Sequence, residues 1–168
     1  NFERLVPLLS KDFRLVSIDL PGFGLTGSIP SGDYSTDSFI KTVNQVIDHL
    51  NISNFSIAGN SMGGGVAWRY TLLFPEKIDS LILLASSSIV SKEERENIES
   101  QRRETPWVWR LMRSNLTNFV LSYYTPKFFA TQGLKASVFD EKIATEKLAN
   151  QFHDLVLLEG SRKAILSM

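Results

Sequence analysis

The first half of the chain alternates between apolar residues at helical spacing and short, nearly unbroken apolar runs. Residues 2–9 carry apolar positions three and four apart, which predicts a short amphipathic helix. A second helix is predicted to begin at Ser35, Thr36 or Asp37, each of which can cap it. Its predicted inner face consists of Phe39, Ile40, Val43, Val46, Ile47 and Leu50. The pattern therefore indicates two amphipathic helices in the first 50 residues.

Apolar runs of the kind that parallel sheets bury on both faces predict three strands. These runs are residues 14–19, 55–59 and 78–85. A helix is predicted between the last two runs, and Phe74-Pro75 should stop it. Its apolar positions are Val66, Ala67, Tyr70 and Leu73. Alternation of helices with buried strands favours right-handed crossovers, so we predict an α/β fold with a parallel sheet and helices on both faces.

The pattern changes after Ala85, because only helical spacing follows. A charged helix is predicted within residues 91–104, and its charges are typical of a solvated face. Further helices are predicted at residues 107–113, 116–124, 127–134 and 140–158. We therefore predict two parts: a core formed by residues 1–87 and an inserted, all-helical cap formed by residues 88–168.

Composition excludes several classes of function but adds little to the prediction of the fold. The 168 residues are 43% hydrophobic with a formal net charge of +0, which is typical of a globular protein and argues against nucleic-acid or anionic-membrane partners. The absence of cysteine excludes disulfides and thiolate catalysis, and it is compatible with a reducing compartment. No apolar run approaches the length of a membrane span, and no signal peptide is recognisable. We expect a cytoplasmic protein that needs no metal or organic cofactor.

The strongest chemical signal is Gly59-Asn60-Ser61-Met62-Gly63, which lies between a predicted strand and a predicted helix. This is the order of a nucleophile elbow, in which a serine occupies a strained turn above a sheet. Side chains at the positions two before and two after the serine are expected to collide with neighbouring backbone. The N–H of Met62 would face negative charge developing on an attacked carbonyl. The alternative is a glycine-rich turn that carries an ordinary serine.

Three segments in this order resemble the middle of an α/β-hydrolase fold enzyme with a helical cap. They are Asp-Leu-Pro-Gly-Phe-Gly at residues 19–24, Gly-Asn-Ser-Met-Gly-Gly at residues 59–64, and residues 74–84. The resemblance covers residues 1–87 well and the remainder only in its helical character. The second segment is similar to carbon–carbon bond hydrolases of aromatic degradation and to esterase-like members. Serine at position 61 disfavours haloalkane dehalogenase and epoxide hydrolase chemistry, for which the family uses aspartate.

The resemblance implies roles for two residues of this chain. Ser61 would be the nucleophile, and the backbone N–H of Met62 would supply one donor of the oxyanion hole. The other donor comes, in the family, from a loop that would precede Asn1. The catalytic acid and histidine come from strands that would follow Met168. The sequence, which has no initiating methionine, is therefore expected to be the centre of a longer enzyme with an incomplete sheet.

The two histidines of the chain are poor candidates for the missing base. His49 lies at the end of a predicted helix, before the strand that leads to Ser61, and so at the opposite end of the sheet. His153 lies on the last predicted helix, where a surface or core-edge role is expected. Asp19 and Asp33 are interpreted as turn and cap formers rather than as a catalytic acid.

Three hypotheses follow. The first is a serine hydrolase that cleaves an ester, thioester or activated ketone of a small apolar substrate through an acyl-enzyme on Ser61. The second is a carbon–carbon bond hydrolase of the same fold, which first ketonises a vinylogous diketone. The third is a non-catalytic binding module that lacks a base. The incomplete sheet also motivates the third hypothesis, because its exposed edges could pair with another copy, so a homo-oligomer is considered.

Overall fold

The computed structural model describes residues 2–86, 124–138 and 140–167. These residues form two compact units, which are considered separately. Among the described residues, the first unit comprises 2–20 and 35–86, and the second comprises 21–34, 124–138 and 140–167. The predicted helices within 91–104 and at 107–113, and nearly all of the one at 116–124, lie outside the described residues.

The first unit contains a parallel pair of strands with one helix packed against it and a second helix packed on the first. Its elements are α1 (Val6–Leu9), α2 (Thr36–His49), β1 (Phe55–Asn60), α3 (Met62–Leu73), a 3-10 turn (Pro75–Lys77) and β2 (Ile78–Leu84). β1 and β2 are parallel, with Ile57 opposite Leu81 and Asn60 opposite Leu84. The predicted α/β fold with a parallel sheet is confirmed, and the described part of the sheet has two strands.

The core of the first unit lies where α3 packs on both strands and α2 packs on α3. Its buried side chains are Phe39, Ile40, Val43, Ile47, Val66, Ala67 and Tyr70. The predicted inner faces are thus largely confirmed, although Val46 and Leu50 are only half-buried and Leu73 is 60% exposed. Leu73 lies on the same stripe as Val66 and Tyr70, but it is the last residue of α3, where the packed stripe ends.

α2 begins where one of the three predicted caps places it. The hydroxyl of Ser35 accepts a hydrogen bond from the N–H of Ser38 at 3.3 Å, which satisfies a donor that the helix itself cannot satisfy. The helix ends at His49, and Asn51 then takes a left-handed conformation with φ 52°. This reversal sends the chain into β1.

Two predictions for the N-terminal segment are wrong. Residues 14–19 form no strand in the described structure, and Leu15 and Val16 are exposed. An apolar run indicates that a segment can be buried, but a strand needs a hydrogen-bonded neighbour, which the run alone cannot supply. The predicted helix at 2–9 is reduced to Val6–Leu9, with Pro7 in its first turn. Proline lacks an N–H, so a helix starting at Phe2 would have lost a bond that this shorter helix does not need.

β2 forms where it was predicted, but it is not the buried strand that its sequence suggests. Leu81, Ile82 and Leu84 are each more than a third exposed, and Ile82 reaches 49%. Among the described residues β2 pairs only with β1. The apolar pattern therefore indicates a surface suited to burial, which the described part of the chain does not cover.

The second unit is helical in its described C-terminal part. It contains α4 (Lys127–Ala136), a 3-10 turn (Glu141–Ile143), α5 (Glu146–Leu157) and α6 (Ser161–Ser167). α4 agrees with the predicted helix at 127–134. The single helix predicted over 140–158 is instead divided, because the Thr145 hydroxyl accepts from the N–H of Leu148 at 3.3 Å and starts α5 anew. α6 was not predicted.

The proline- and glycine-rich loop at residues 21–34 belongs to this second unit. Gly22 has φ 85°, and a Cβ at this position would overlap the side chain of Ala164 on α6. Only glycine satisfies both the conformation and the close approach. No helix among the described residues combines the length and the apolar character that crossing a bilayer requires.

Candidate active site

Ser61 occupies the single-residue turn between β1 and α3. β1 ends at Asn60 and α3 begins at Met62, so the chain reverses within one residue. Ser61 has φ 51° and ψ −117°, a conformation that side-chain-bearing residues rarely adopt. Such conformations cost about 1–3 kcal/mol and persist only where the surrounding structure enforces them. Ser61 is also exposed, on a strained turn.

Backbone hydrogen bonds hold Ser61 on both sides. Its N–H donates to the carbonyl oxygen of Leu84, at the end of β2, over 2.9 Å. Its own carbonyl oxygen accepts from the N–H of Gly65, in the first turn of α3, over 3.2 Å. The end of β2 therefore holds the N–H of Ser61, and the first turn of α3 holds its carbonyl group.

The glycine two residues before Ser61 is required by space. A Cβ at position 59 would overlap the carbonyl group of Gly63 and lie 2.6 Å from the nitrogen of Gly64. These are backbone atoms, which cannot rotate away, so the expected collision is present at Gly59. The same expectation is wrong at Gly63, because no described atom lies within 4 Å of a Cβ built there. Gly63 points its Cα hydrogens into open space, whereas its carbonyl group is what excludes a side chain at Gly59.

Met62 is the first residue of α3, directly after Ser61. The first N–H groups of an α-helix have no partner within the helix, and the helix dipole places partial positive charge there. An N–H in this position can stabilise an oxyanion that forms beside the serine hydroxyl. The turn thus combines an exposed serine with an adjacent backbone donor.

The structure does not bring His49 to Ser61. His49 is exposed at the last residue of α2, near the amino end of β1, whereas Ser61 follows its carboxyl end. The six residues of β1 separate the two ends of the strand by roughly 20 Å. This is far beyond hydrogen-bond reach, so His49 cannot be the base.

His153 lies on α5 in the second unit and is half-buried. Its Nε2 lies 2.9 Å from the carbonyl oxygen of Thr125. Because a carbonyl oxygen only accepts, Nε2 must carry a proton and donate it. Nδ1 lies 3.9 Å from an oxygen of Asp154. These contacts give the ring a structural role within its own unit.

Three features of the site were missed by sequence reasoning. They are the carbonyl oxygen of Leu84, the left-handed conformation of Ala85 (φ 43°), and the packing of Ser86 against Gly64. Two of them involve backbone groups, which leave no trace in side-chain identity. Only Gly64, the glycine after Gly63, gave a signal, since an additional glycine in a helix normally indicates a close approach. In the described part of the chain, no cluster of three or more His, Asp or Glu side chains could hold a metal ion.

Comparison with protein families gives one match. The model of a family described as alpha/beta hydrolase fold matches residues 1–155. A serine hydrolase-like protein of Danio rerio is 38% identical over 104 residues, which are 61% of this chain and 32% of that protein. A 2-hydroxy-6-oxononadienedioate/2-hydroxy-6-oxononatrienedioate hydrolase of Escherichia coli is 33% identical over 89 residues, 52% of this chain and 31% of that protein.

Solved structures agree on the fold. A meta-cleavage product hydrolase of Pseudomonas fluorescens superposes with a TM-score of 0.73 and 24% identity, covering 100% of this chain and 54% of that one. An esterase of Exiguobacterium antarcticum has a TM-score of 0.67 and 21% identity, covering 99% of this chain and 58% of that one. The chain therefore spans about half, or less, of the length of these proteins.

Proposed function

The chain belongs to the α/β-hydrolase fold family, and on that premise we propose that it carries the nucleophile of a serine hydrolase, Ser61. The observation that carries the proposal is the backbone of Ser61, which is strained at φ 51° and ψ −117° while the residue stays exposed at a strand-to-helix turn. Strain of this kind at an accessible serine is of no use to packing, and it directs the hydroxyl toward solvent or substrate. The proposed substrate is a small apolar molecule with an ester-type or activated carbonyl bond.

In the proposed reaction, the Ser61 oxygen attacks the substrate carbonyl carbon while a histidine removes its proton. The carbonyl oxygen becomes an oxyanion and accepts a hydrogen bond from the N–H of Met62. Collapse of this intermediate breaks the bond to the leaving group, which takes the proton from the histidine. Water then releases the acyl group from Ser61 by the same steps. The proposal assigns the histidine and its orienting acid to residues outside 1–168, because His49 lies at the opposite end of β1 from Ser61 and the ring of His153 bonds to Thr125 within the second unit.

Carbon–carbon bond hydrolysis is the second candidate. It is favoured by the 33% identity to an Escherichia coli hydrolase whose name states 2-hydroxy-6-oxononadienedioate and 2-hydroxy-6-oxononatrienedioate as substrates. Ser61 would act in this reaction too, but ketonisation of the substrate would precede cleavage of the carbon–carbon bond. A non-catalytic binding module is the third candidate, since His49 lies at the far end of β1 and the ring of His153 bonds to Thr125 within the second unit. Some predictions from the sequence accompany all three candidates: a small-molecule substrate or ligand, a cytoplasmic location, and no nucleic-acid or membrane partner. A homo-oligomer formed through exposed sheet edges stays an open prediction.

A serine-directed fluorophosphonate tests the role of Ser61 in the full-length protein. We expect one covalent adduct, mapped to Ser61 by peptide mass spectrometry, and none on the Ser61→Ala variant. Turnover of a p-nitrophenyl ester should fall by about 10⁴-fold or more in that variant. Ser56→Ala is the matched control, because Ser56 is an exposed serine on β1 and should leave labelling unchanged. Full turnover by Ser61→Ala would remove Ser61 from the mechanism, and no adduct on the wild type would favour the binding module.

Substrate preference distinguishes the ester hydrolase from the carbon–carbon bond hydrolase. A dienol diketone and a p-nitrophenyl ester would be supplied to the same full-length enzyme, and kcat/KM compared. An ester hydrolase is expected to prefer the ester by at least 100-fold. A preference of that size for the diketone would instead assign carbon–carbon bond hydrolysis.

A further inference from the structure

The carboxyl end of β2 contacts the Ser61 turn at two separate points. The carbonyl oxygen of Leu84 accepts the N–H of Ser61 at 2.9 Å. Two residues later, Ser86 lies against Gly64 so closely that a Cβ on Gly64 would be 2.6 Å from the Ser86 hydroxyl and 2.7 Å from its Cβ. The first contact holds the serine itself, and the second holds the first turn of α3.

Ala85 allows both contacts to be made by neighbouring residues. Its φ of 43° is left-handed, whereas a strand that continued straight would carry residue 86 away along the sheet axis. Left-handed alanine is unfavourable, because its Cβ approaches backbone atoms. Such a conformation is maintained only where the contacts on both sides enforce it.

We infer that residues 84–86 form a positioning segment for the Ser61 turn, with Ser86 on Gly64 as its decisive contact. The inference rests on the proposed function of Ser61. The segment sets the height of the first turn of α3 relative to Ser61, and hence the distance between the serine oxygen and the N–H of Met62. Catalysis is sensitive to such distances, because a displacement of about 1 Å costs on the order of 100-fold in rate.

Two glycine-to-alanine substitutions in the same turn provide the test. Gly64→Ala drives a methyl group into Ser86, whereas Gly63→Ala adds the same methyl group in open space. In the full-length protein we expect Gly64→Ala to lower kcat for a p-nitrophenyl ester about 100-fold, with KM within about twofold of the wild type. The rate of fluorophosphonate labelling should fall in parallel. Gly63→Ala should keep kcat within about threefold, and far-UV circular dichroism at the assay temperature verifies that both variants are folded.

Rescue by a second substitution identifies the contact. In Gly64→Ala/Ser86→Gly the hydroxymethyl group that meets the new methyl is removed, so kcat should recover at least tenfold over Gly64→Ala. Complete recovery is not expected, because the Cα of residue 86 still lies 3.0 Å from the added carbon.

Each outcome decides the proposal. Wild-type kcat in Gly64→Ala, an equal loss in Gly63→Ala, or no recovery in the double variant would overturn it. If Gly64→Ala does not fold, Ser86→Gly alone tests the same contact, with an expected fall in kcat of at least fivefold at unchanged KM; wild-type kcat would overturn the proposal. Ser61→Ala in the same assay separates the two levels: full turnover there refutes the function of Ser61 and this inference with it, whereas loss there with unaffected Gly64→Ala refutes only the positioning segment.

Discussion

Left-handed backbone at individual residues marks the candidate site. Among the described residues, the non-glycine positions with positive φ are Asn51, Ser61 and Ala85. Asn51 follows α2, where asparagine is well tolerated because its side chain can bond locally. Alanine has no polar side chain that could bond in this way, and serine does so only weakly. Ser61 donates its N–H to Leu84, and Ala85 directly follows Leu84. Strain in the first unit is therefore concentrated where the proposed chemistry occurs.

At the same scale, Gly59 should be the least replaceable glycine of the turn. Gly59→Ala is expected to lower the free energy of unfolding by about 3 kcal/mol or to prevent folding, because its Cβ overlaps the backbone of Gly63. Gly63→Ala is the control and should be neutral or raise it by up to about 1 kcal/mol, since alanine favours helix. Urea unfolding followed by circular dichroism measures both. Equal stability of the two variants would contradict the assignment of the close approach to position 59.

At the scale of elements, a polar network ties α2, α3 and the 3-10 turn together at the end of α3 remote from Ser61. The Tyr70 hydroxyl donates to Asn44 Oδ1 at 2.9 Å, and Lys77 Nζ donates to the same oxygen at 3.1 Å. Lys77 also pairs with Asp48 at 3.0 Å, and Asn44 Nδ2 donates to Asp48 at 2.8 Å. The Tyr70 ring itself is fully buried between Phe55 and Phe74. The network lets a tyrosine occupy the core without an unsatisfied hydroxyl.

Removing that hydroxyl should cost little. Tyr70→Phe is expected to lower the free energy of unfolding by about 1 kcal/mol, because the ring remains packed and Lys77 still satisfies Asn44. Tyr70→Ala should cost about 3–5 kcal/mol, since it leaves a cavity among buried side chains. Chemical denaturation distinguishes these values. If both variants were equally destabilised, the hydroxyl rather than the ring would be the main contributor.

The same network predicts how stability depends on alkaline pH. Burial raises the pKa of Tyr70 above its ordinary value, and the hydrogen bond to Asp48 raises the pKa of Lys77. Both groups bind their protons more tightly in the folded protein than in the unfolded chain. Their contribution to the free energy of unfolding is therefore complete below the unfolded pKa values of about 10. It is lost as pH rises from there through the folded values.

We therefore expect the urea midpoint to be flat near pH 8–9 and to fall above about pH 10. Tyr70→Phe removes the tyrosine part of this fall and should make the decline shallower. A urea midpoint that rises with pH in this range would contradict the raised pKa values of Tyr70 and Lys77 as the cause of the pH dependence.

At the scale of the whole molecule, protection from exchange should be uneven. β1 and β2 share a ladder and α3 covers them, whereas residues 14–20 lie outside any ladder of the described structure. Because exchange requires opening of hydrogen bonds, amides of β1 and α3 should exchange at least 100-fold more slowly than those of residues 14–20. Hydrogen–deuterium exchange with peptide mass spectrometry tests this in the full-length protein. Protection of residues 14–20 equal to that of β1 would mean that another strand pairs with them.

The sequence predicted the positions of helices and strands well, but it did not predict which segments pair or pack with one another. α2, α3, β1 and β2 all lie where periodicity placed them, since helix and strand spacing is a property of the segment itself. The prediction of a strand at residues 14–19 was wrong because strand pairing depends on a second segment and not on the segment itself. The same applies to the exposed apolar side chains of β2, such as Ile82, whose pattern indicates burial without specifying the partner.

What the sequence by itself determined is the Ser61 turn: a strand, Gly59, a serine and a helix that must start directly after it. Spacing and glycine content suffice for this, because the strain is local and few residue types can bear it. Only the tertiary structure decided that Gly63 has open space beside it while Gly64 does not, and that Leu84, Ala85 and Ser86 hold the turn from the next strand. These contacts join residues more than 20 positions apart through backbone atoms and close packing, which side-chain patterns along a chain do not encode.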